Sequence, residues 1–284
     1  MEKFIICTDS ACDLRGETLK GTNAECVDLT FTYEGETVRN TEKDVSVTEF
    51  YNKMRSGAVA KTSAINPEEF KNFFEPFLKS GKDVMYLAFS SGLSTTYNSA
   101  RIAAEELTDT YKDNKIIVLD TLCASAGQGL LLYLAAKKQS EGATFNQTAD
   151  FVESIKMNIC HWFTVDDLVY LKRGGRVSPT VALVGSVLGI KPVLHVDNDG
   201  HLISHSKVKG RKNSVLALFQ KYKETATQNT VFISHADCLT DAEFLAEKLK
   251  EEGAEVNVIT DIGPVIGAHA GPGTLAVFFI GKER

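Results

Sequence analysis

No run of apolar residues in this 284-residue sequence is long enough to span a bilayer, which takes about 20 residues. The N-terminus also lacks the apolar core and the small-residue cleavage site of a signal peptide. Basic charge is not in excess, since 31 Lys and Arg residues stand against 37 Asp and Glu residues, a net charge of −6. We therefore expect a cytoplasmic protein that does not bind nucleic acid.

The cysteines are scattered along the chain, and their spacing is uninformative. No C-x-x-C pair occurs, so the sequence offers neither a zinc site nor a disulfide framework. Most of the cysteines lie in apolar runs, where a free thiol behaves as a small hydrophobic side chain. We predict reduced thiols and no bound metal for the six residues Cys7, Cys12, Cys26, Cys123, Cys160 and Cys238.

Three catalytic or nucleotide-binding signatures are missing as well. The chain has no P-loop pattern G-x-x-x-x-G-K-[ST] and no G-x-G-x-x-G that opens a helix after a strand. Ser91 lies between a predicted strand and a predicted helix, but its neighbours lack the two glycines of G-x-S-x-G. A hydrolase built on a nucleophile elbow is therefore not supported.

The overall composition, 43% hydrophobic and 24% charged, is that of a globular protein. In the first half, short apolar strands alternate with helical patterns, which predicts a parallel sheet covered by helices. The predicted strands are residues 4–8, 26–33, 83–89 and 115–119. The predicted helices are residues 47–56, a helix from Pro67 capped by Asn66, residues 97–111 and residues 125–141.

The second half has a different pattern of short strands. The turn Asn198-Asp199-Gly200 between two apolar runs predicts a hairpin, so this sheet is at least partly antiparallel. We place the domain boundary within residues 142–156, bridged by a helix, which gives domains of residues 1–155 and 156–284. The predicted strands are residues 159–165, 191–196, 201–207, 230–234, 255–260 and 275–280.

Hydroxyl-rich loops follow predicted strands at the edge where open α/β sheets bind ligands. The loop of residues 90–96 could hold an anion at the start of the next helix, or Ser94 or Thr95 could only cap that helix. The turn of residues 61–67 is more typical of a cap than of a site.

Two acidic residues and one histidine also have two readings. Asp9 could bind a metal, but capping is the favoured role for Asp9 and for Asp13, which we expect to begin a helix. His269, among small and apolar residues, could donate to an anion or bond a backbone carbonyl in the core. Each of two basic segments, residues 168–178 and 207–212, could be a solvated surface, but two of them in an acidic protein favour an acidic docking partner.

Five segments together resemble the motifs of the DegV family, in the family's order and across nearly the whole chain. They are Asp9-Ser10 with Asp13-Leu14, Lys61-Thr62-Ser63, and residues 90–97, 171–176 and 267–273. The resemblance implies an EDD/DegV-like fold of two α/β domains, the first with a mainly parallel sheet and the second with a mixed or partly antiparallel one. It also implies a tunnel between the domains that encloses one long-chain fatty acid.

The resemblance further implies a partner and a site. FakB members of the family present the acyl carboxylate to a separate fatty-acid kinase, which makes acyl phosphate with ATP. The family's carboxylate-binding positions correspond to Thr62, Ser94 and His269, while Thr96 stands where many relatives have Gly. Further pocket candidates are Ser63, Ser91, Gly92 and Thr95, and candidates for docking the kinase are Arg173, Arg176 and Arg211.

On this basis the chain is expected to be a lipid carrier with no catalytic residue and no cofactor, which touches a membrane surface transiently to exchange lipid. Residues 181–188 and the helix from Pro67 are candidates for the tunnel wall. One alternative is an acyl- or phosphoryl-transfer enzyme with the 90–96 loop as anion hole and His269 as general base. A second alternative is a module that binds a phosphorylated metabolite.

Overall fold

The computed structural model describes residues 4–40, 46–177, 189–282 and 284. None of the described helices is long and apolar enough to cross a membrane. The first half of the chain contains β1 (Phe4–Asp9), α1 (Gly16–Lys20), β2 (Glu25–Val27), β3 (Thr30–Tyr33), β4 (Glu36–Arg39), α2 (Val47–Arg55), β5 (Lys61–Ser63), α3 (Pro67–Lys79), β6 (Asp83–Ala88), α4 (Thr96–Thr110), β7 (Ile116–Asp120), α5 (Ser125–Ser140) and α6 (Phe145–Ile155).

The first sheet has the order β2-β1-β6-β7 and is parallel throughout. Its central strands, β1 and β6, are buried on both faces, which explains their near-continuous apolar sequences. Helices α3 and α4 pack on one face around Phe70 and Phe74, and α5 and α6 pack on the other around Leu130 and Phe145. The predicted parallel sheet covered by helices is thus confirmed.

The single strand predicted at residues 26–33 is wrong, because the structure breaks it in two. β2 pairs with β1 only as far as Val27, opposite Asp9, where β1 ends. Without a partner strand to continue along, the chain turns, and the Leu29 N–H donates to Ser10 Oγ at 3.0 Å. The following residues form β3, which belongs to a different sheet.

That smaller sheet is antiparallel, with the order β4-β3-β5. Its β3–β4 hairpin turns through Glu34 and Gly35, both with positive φ, as a type I′ turn requires. The third strand, β5, consists of Lys61–Ser63, which the sequence pattern assigns to a turn. Pairing with β3 places Thr62 opposite Phe31 and fixes its position.

The second large sheet has the order β10-β9-β8-β13-β11-β12 and is mixed, since only β11 and β12 are parallel neighbours. The predicted hairpin at residues 198–200 joins β9 and β10. Residues 181–188 lie outside the described residues. The elements are β8 (Ile159–Thr164), α7 (Val169–Gly174), β9 (Ile190–Val196), β10 (Leu202–Lys209), α8 (Arg211–Thr225), β11 (Ala226–His235), α9 (Leu239–Glu251), β12 (Glu255–Asp261), α10 (Pro264–Ala270) and β13 (Leu275–Gly281).

Helix α5 lies between the two large sheets and is buried along most of its length. One hydrophobic cluster joins its side chains to residues of both sheets. Close packing explains its two glycines, because a Cβ on Gly127 would overlap the His161 ring and one on Gly129 would lie 2.7 Å from Leu14 Cγ. The two halves of the chain therefore share a core.

A helix of the second half also packs against the first half. Helix α10 belongs to the second half but packs against α2, β3 and β5 of the first. Helix α6 bridges the segment in which we place the domain boundary, and the division at residue 155 stays a prediction.

Candidate functional site

A cavity of about 540 Å³ lies between the two halves, where α10, the loop after β6 and the inner face of the second sheet meet. Cavities that hold small molecules are typically about 300–1,000 Å³. Most of the wall is apolar and comes from both halves; it includes Phe89, Leu93, Phe163, Val196, Val265 and Phe278. Such a wall suits a ligand with a large apolar part.

The structure brings the predicted polar residues together at this one cavity. Thr62, Ser94 and His269 all line it, although they lie on β5, on the loop after β6 and on α10. Their role as carboxylate ligands stays a prediction. The cavity is also lined by all four further candidates, Ser63, Ser91, Gly92 and Thr95.

Thr62 and His269 form a direct pair. Thr62 Oγ1 lies 2.7 Å from His269 Nε2, and the other ring nitrogen, Nδ1, is buried without a hydrogen-bond partner. When the ring proton is on Nε2, it donates to Thr62 Oγ1 and leaves the threonine hydroxyl free to donate to a ligand. The pair can therefore act as a donor relay that ends in the cavity.

The His269 ring is neutral at pH 7. Burial disfavours its charged form, and the nearby Arg176 guanidinium adds repulsion, so the pKa of His269 is lowered to about 4. The ring can donate its Nε2 proton to Thr62 Oγ1 but does not supply a positive charge.

Ser94 is oriented by Thr96. Ser94 Oγ accepts from the Thr96 N–H at 3.2 Å and lies 2.8 Å from Thr96 Oγ1. Thr96 itself is fully buried at the start of α4. Its hydroxyl thus gives the Ser94 side chain a second contact and a defined direction at the cavity wall.

The glycine of the same loop serves a contact between the two halves. A Cβ on Gly92 would lie 2.7 Å from the Asp199 carbonyl oxygen and 2.9 Å from Gly200. Next to it, Ser90 Oγ donates to the Gly200 carbonyl at 2.9 Å. The β9–β10 turn therefore contacts the hydroxyl-rich loop directly.

Asp9 and Asp13 have hydrogen-bonding roles. Asp9 caps the short 3-10 helix after β1 through the Ala11 N–H, and its second oxygen accepts from Tyr86 and the Phe89 N–H. The capping role predicted for Asp9 is confirmed. These donors account for both of its carboxylate oxygens.

Asp13 does not begin a helix as predicted, because its φ of 52° turns the chain before α1. Its carboxylate accepts from Ser125 Oγ at 2.6 Å and from the Gly263 N–H at 2.8 Å. It thereby joins the start of α5 to the start of α10. Burial raises the pKa of Asp13 to about 7, partly offset by the Arg15 guanidinium and these hydrogen bonds.

The three predicted docking arginines lie in different surroundings. Arg173 is exposed on α7. Arg176 lines the cavity, and its guanidinium donates to the Leu93 and Gly174 carbonyls at 3.2 and 2.6 Å. Arg211 forms ion pairs with Asp241 at 2.8 Å and with Asp166 at 3.5 Å. Docking by any of them stays a prediction.

Sequence reasoning missed three polar residues of the wall, His161, Ser125 and Thr274. His161 Nδ1 donates to the Ile159 carbonyl at 2.8 Å, and Nε2 accepts from the Ala124 N–H at 3.2 Å. Ser125 is engaged by Asp13. The alternation of β8 could have placed His161 on the face shared with Phe163, but nothing local in the sequence marks Ser125.

The titration of His269 tests this description of the site. We expect the His269 ring signals of the ligand-free protein, followed by NMR and assigned with His269→Gln, to titrate near pH 4, and Arg176→Gln to raise that midpoint. Since the folded state binds this proton less readily than the unfolded chain, the residue's contribution to stability is lost as pH falls from about 6.5 toward 4. A midpoint at or above 6.5 would contradict the buried, hydrogen-bonded ring.

Sequence comparison places the chain among known proteins. The family profile described as "Uncharacterised protein, DegV family" matches residues 3–282. A DegV domain-containing protein of Clostridium perfringens is 44% identical over 289 residues, covering 100% of this chain and 99% of that protein. A DegV domain-containing protein of Streptococcus pyogenes is 37% identical and covers 99% of each.

Solved structures agree with this placement. A Thermotoga maritima protein described as revealing fatty acid binding function is 30% identical, with a TM-score of 0.84 over 98% of this chain and 99% of that one. A stearic acid-binding protein from Eubacterium ventriosum is 27% identical, with a TM-score of 0.88 over 98% of each. With the two-domain α/β fold and nearly the whole sequence matched, the chain belongs to the DegV family.

Proposed function

We propose that this protein is a cytoplasmic carrier that binds one long-chain fatty acid in the cavity and presents its carboxylate to a separate fatty-acid kinase. The observation that supports the proposal is the wall itself, which is mostly apolar and carries the polar side chains of Thr62, Ser94 and His269. Similar structures are described as fatty-acid-binding proteins.

The acyl tail supplies the main driving force. Burying about 15 methylenes at ~0.8 kcal/mol each contributes roughly 12 kcal/mol before the cost of association. That cost is about 4–15 kcal/mol, so micromolar or tighter binding needs few polar contacts. The polar contacts then decide which end of the ligand lies at Thr62 and His269.

The deeper polar groups of the wall support this orientation. The ring nitrogens of His161 and the hydroxyl of Ser125 are hydrogen-bonded within the protein, and the Thr274 hydroxyl donates to the Ala270 carbonyl at 2.9 Å. A carboxylate buried beside these occupied groups would lack donors and pay a large desolvation cost. In this proposal, the hydroxyls of Thr62, which is oriented by His269, and of Ser94 offset that cost.

The pKa of His269 favours a carrier over a transfer enzyme. A general base works best when its pKa lies near the working pH, and burial lowers the pKa of His269 to about 4. The ring is thus poorly suited to take up a proton at pH 7 but well suited to relay a hydrogen bond through Thr62. The phosphoryl transfer belongs, in this proposal, to the kinase and its ATP.

Kinase docking is proposed for the surface of α7 next to the cavity. Arg173 is exposed there with its guanidinium 5.8 Å from the Tyr170 ring centroid, and Lys172 is exposed beside it. Such a basic surface on a protein of net charge −6 offers a local target for an acidic partner. Arg176 contributes to the cavity wall as well, and Arg211 is held by two carboxylates.

Variants of Thr62, Ser94 and His269 test whether these residues present the carboxylate to the kinase or only bind the fatty acid. Thr62→Val, Ser94→Ala and His269→Ala are each expected to lower acyl-phosphate formation with kinase and ATP by about tenfold or more, since a hydrogen bond to a charged group is worth about 1.5–3 kcal/mol. Fatty-acid retention should fall less, because the tail provides most of the affinity. Ser154→Ala, an exposed hydroxyl on α6, serves as the control.

Equal loss of retention and of acyl-phosphate formation in all three variants would argue against a dedicated head-group site. A ligand-bound structure with the carboxylate more than about 5 Å from all three side chains would refute the placement outright.

Docking is tested by charge removal on α7. Arg173→Ala should weaken the apparent affinity for the kinase by about tenfold at low ionic strength and by less at high salt, with fatty-acid affinity nearly unchanged. Arg101→Ala, an exposed arginine on α4, should leave kinase affinity as it is. Arg176→Ala is measured separately because this residue lines the cavity. Loss of lipid affinity in folded Arg173→Ala would contradict the assignment.

A further inference from the structure

The backbone of helix α7 lies close to side chains at the end of α10. A Cβ built on Gly174, the last residue of α7, would overlap His269 Nδ1 and lie 3.1 Å from His269 Cγ. Two more glycines line the same contact: a Cβ on Gly271 would overlap the Tyr170 ring, and one on Gly273 would overlap the Asp166 carboxylate. The backbones of the two segments can approach this closely only because three side chains are missing.

Gly174 differs from the other two glycines in its backbone. Gly271 and Gly273 have φ of 81° and 78°, a conformation that by itself favours glycine. Gly174 is not among the residues with positive φ and is the last residue of a helix, so its backbone does not itself require glycine. The reason for glycine at position 174 is therefore its neighbour, and that neighbour is the His269 ring.

The ring is held from two sides. Its Nε2 is fixed by Thr62 Oγ1 at 2.7 Å, and its Nδ1 faces Gly174, buried and without a hydrogen-bond partner. A methyl group at position 174 would occupy the space of the ring. The ring would have to move away from Gly174, and the geometry of the hydrogen bond to Thr62 would change with it.

We propose that Gly174 is a positioning residue for the carboxylate site. The absence of a side chain at position 174 lets the His269 ring lie against Thr62, so that the pair directs its hydrogen bonds into the cavity. The inference rests on the proposed function in so far as the site holds a carboxylate. Because Lys172 and Arg173 are exposed on the same helix, the helix that we expect to meet the kinase also sets the ring that orients the ligand.

A double-mutant cycle between Gly174 and His269 tests the proposal. Gly174→Ala should lower acyl-phosphate formation by about tenfold or more while most of the fatty-acid affinity remains. In the His269→Ala background the ring is gone, so adding Gly174→Ala should change the rate by less than about twofold. The same substitution should leave the melting temperature of that background unchanged or raise it, since Ala favours the helix more than Gly does.

Two readouts keep this test independent of the kinase. In ligand-free Gly174→Ala, the His269 ring signals should shift and their titration midpoint should rise, because the ring leaves its buried position. With palmitate labelled at the carboxyl carbon, Gly174→Ala should move the bound carboxyl signal toward the position seen in His269→Ala. If no fatty acid binds to any variant, the proposed function fails. The ring signals of the ligand-free protein still show whether Gly174 sets the position of the His269 ring.

Opposite outcomes overturn the proposal. A wild-type ring titration and a wild-type rate in Gly174→Ala would show that the methyl group is accommodated without moving His269. Additive losses in the double variant would show that Gly174 acts elsewhere. Should Gly174→Ala alone fail to fold, folding of the double variant would support the collision with His269, and failure of both to fold would contradict it.

Discussion

The hydrogen bond between Thr62 and His269 joins residues 207 positions apart and exists only when both halves of the chain are in place. Other hydrogen bonds also join the two halves of the chain. Asp13 binds the first turns of α5 and α10, Ser90 binds the β9–β10 turn, and the Tyr51 hydroxyl donates to the Ile262 carbonyl at 2.7 Å. The candidate site is therefore a product of the whole fold and not of any one loop.

Burial gives this site its chemical character. A histidine buried near an arginine stays neutral at pH 7 and works as a relay for hydrogen bonds. The more deeply buried polar side chains of the wall, His161, Ser125 and Thr274, have partners within the protein, so the cavity offers mostly apolar surface and few free donors. This combination matches an amphipathic ligand with one charged end.

Much of the fold follows from local sequence patterns, because apolar strands and helices of ordinary length alternate clearly. The strand prediction failed at residues 26–33. There β2 ends because its partner β1 ends at Asp9, and the sequence around Val27 contains no local signal for this end. Thr62 was assigned to a turn for the same reason, since the strand around it exists only through pairing with Phe31.

The site residues themselves came from the family resemblance. Each motif alone was ambiguous, and the roles of Gly174, Asp13 and Ser125 depend on neighbours more than ninety residues away.

The most direct test of the account is to extract the purified protein with organic solvent and identify the released ligand by mass spectrometry, alongside native mass spectrometry of the intact protein. We predict one long-chain fatty acid per chain, because an acyl chain that fills this mostly apolar cavity of about 540 Å³ removes apolar surface from water. A protein that is isolated without ligand and takes up neither palmitate nor oleate, or one that releases a phosphorylated metabolite instead, would contradict it.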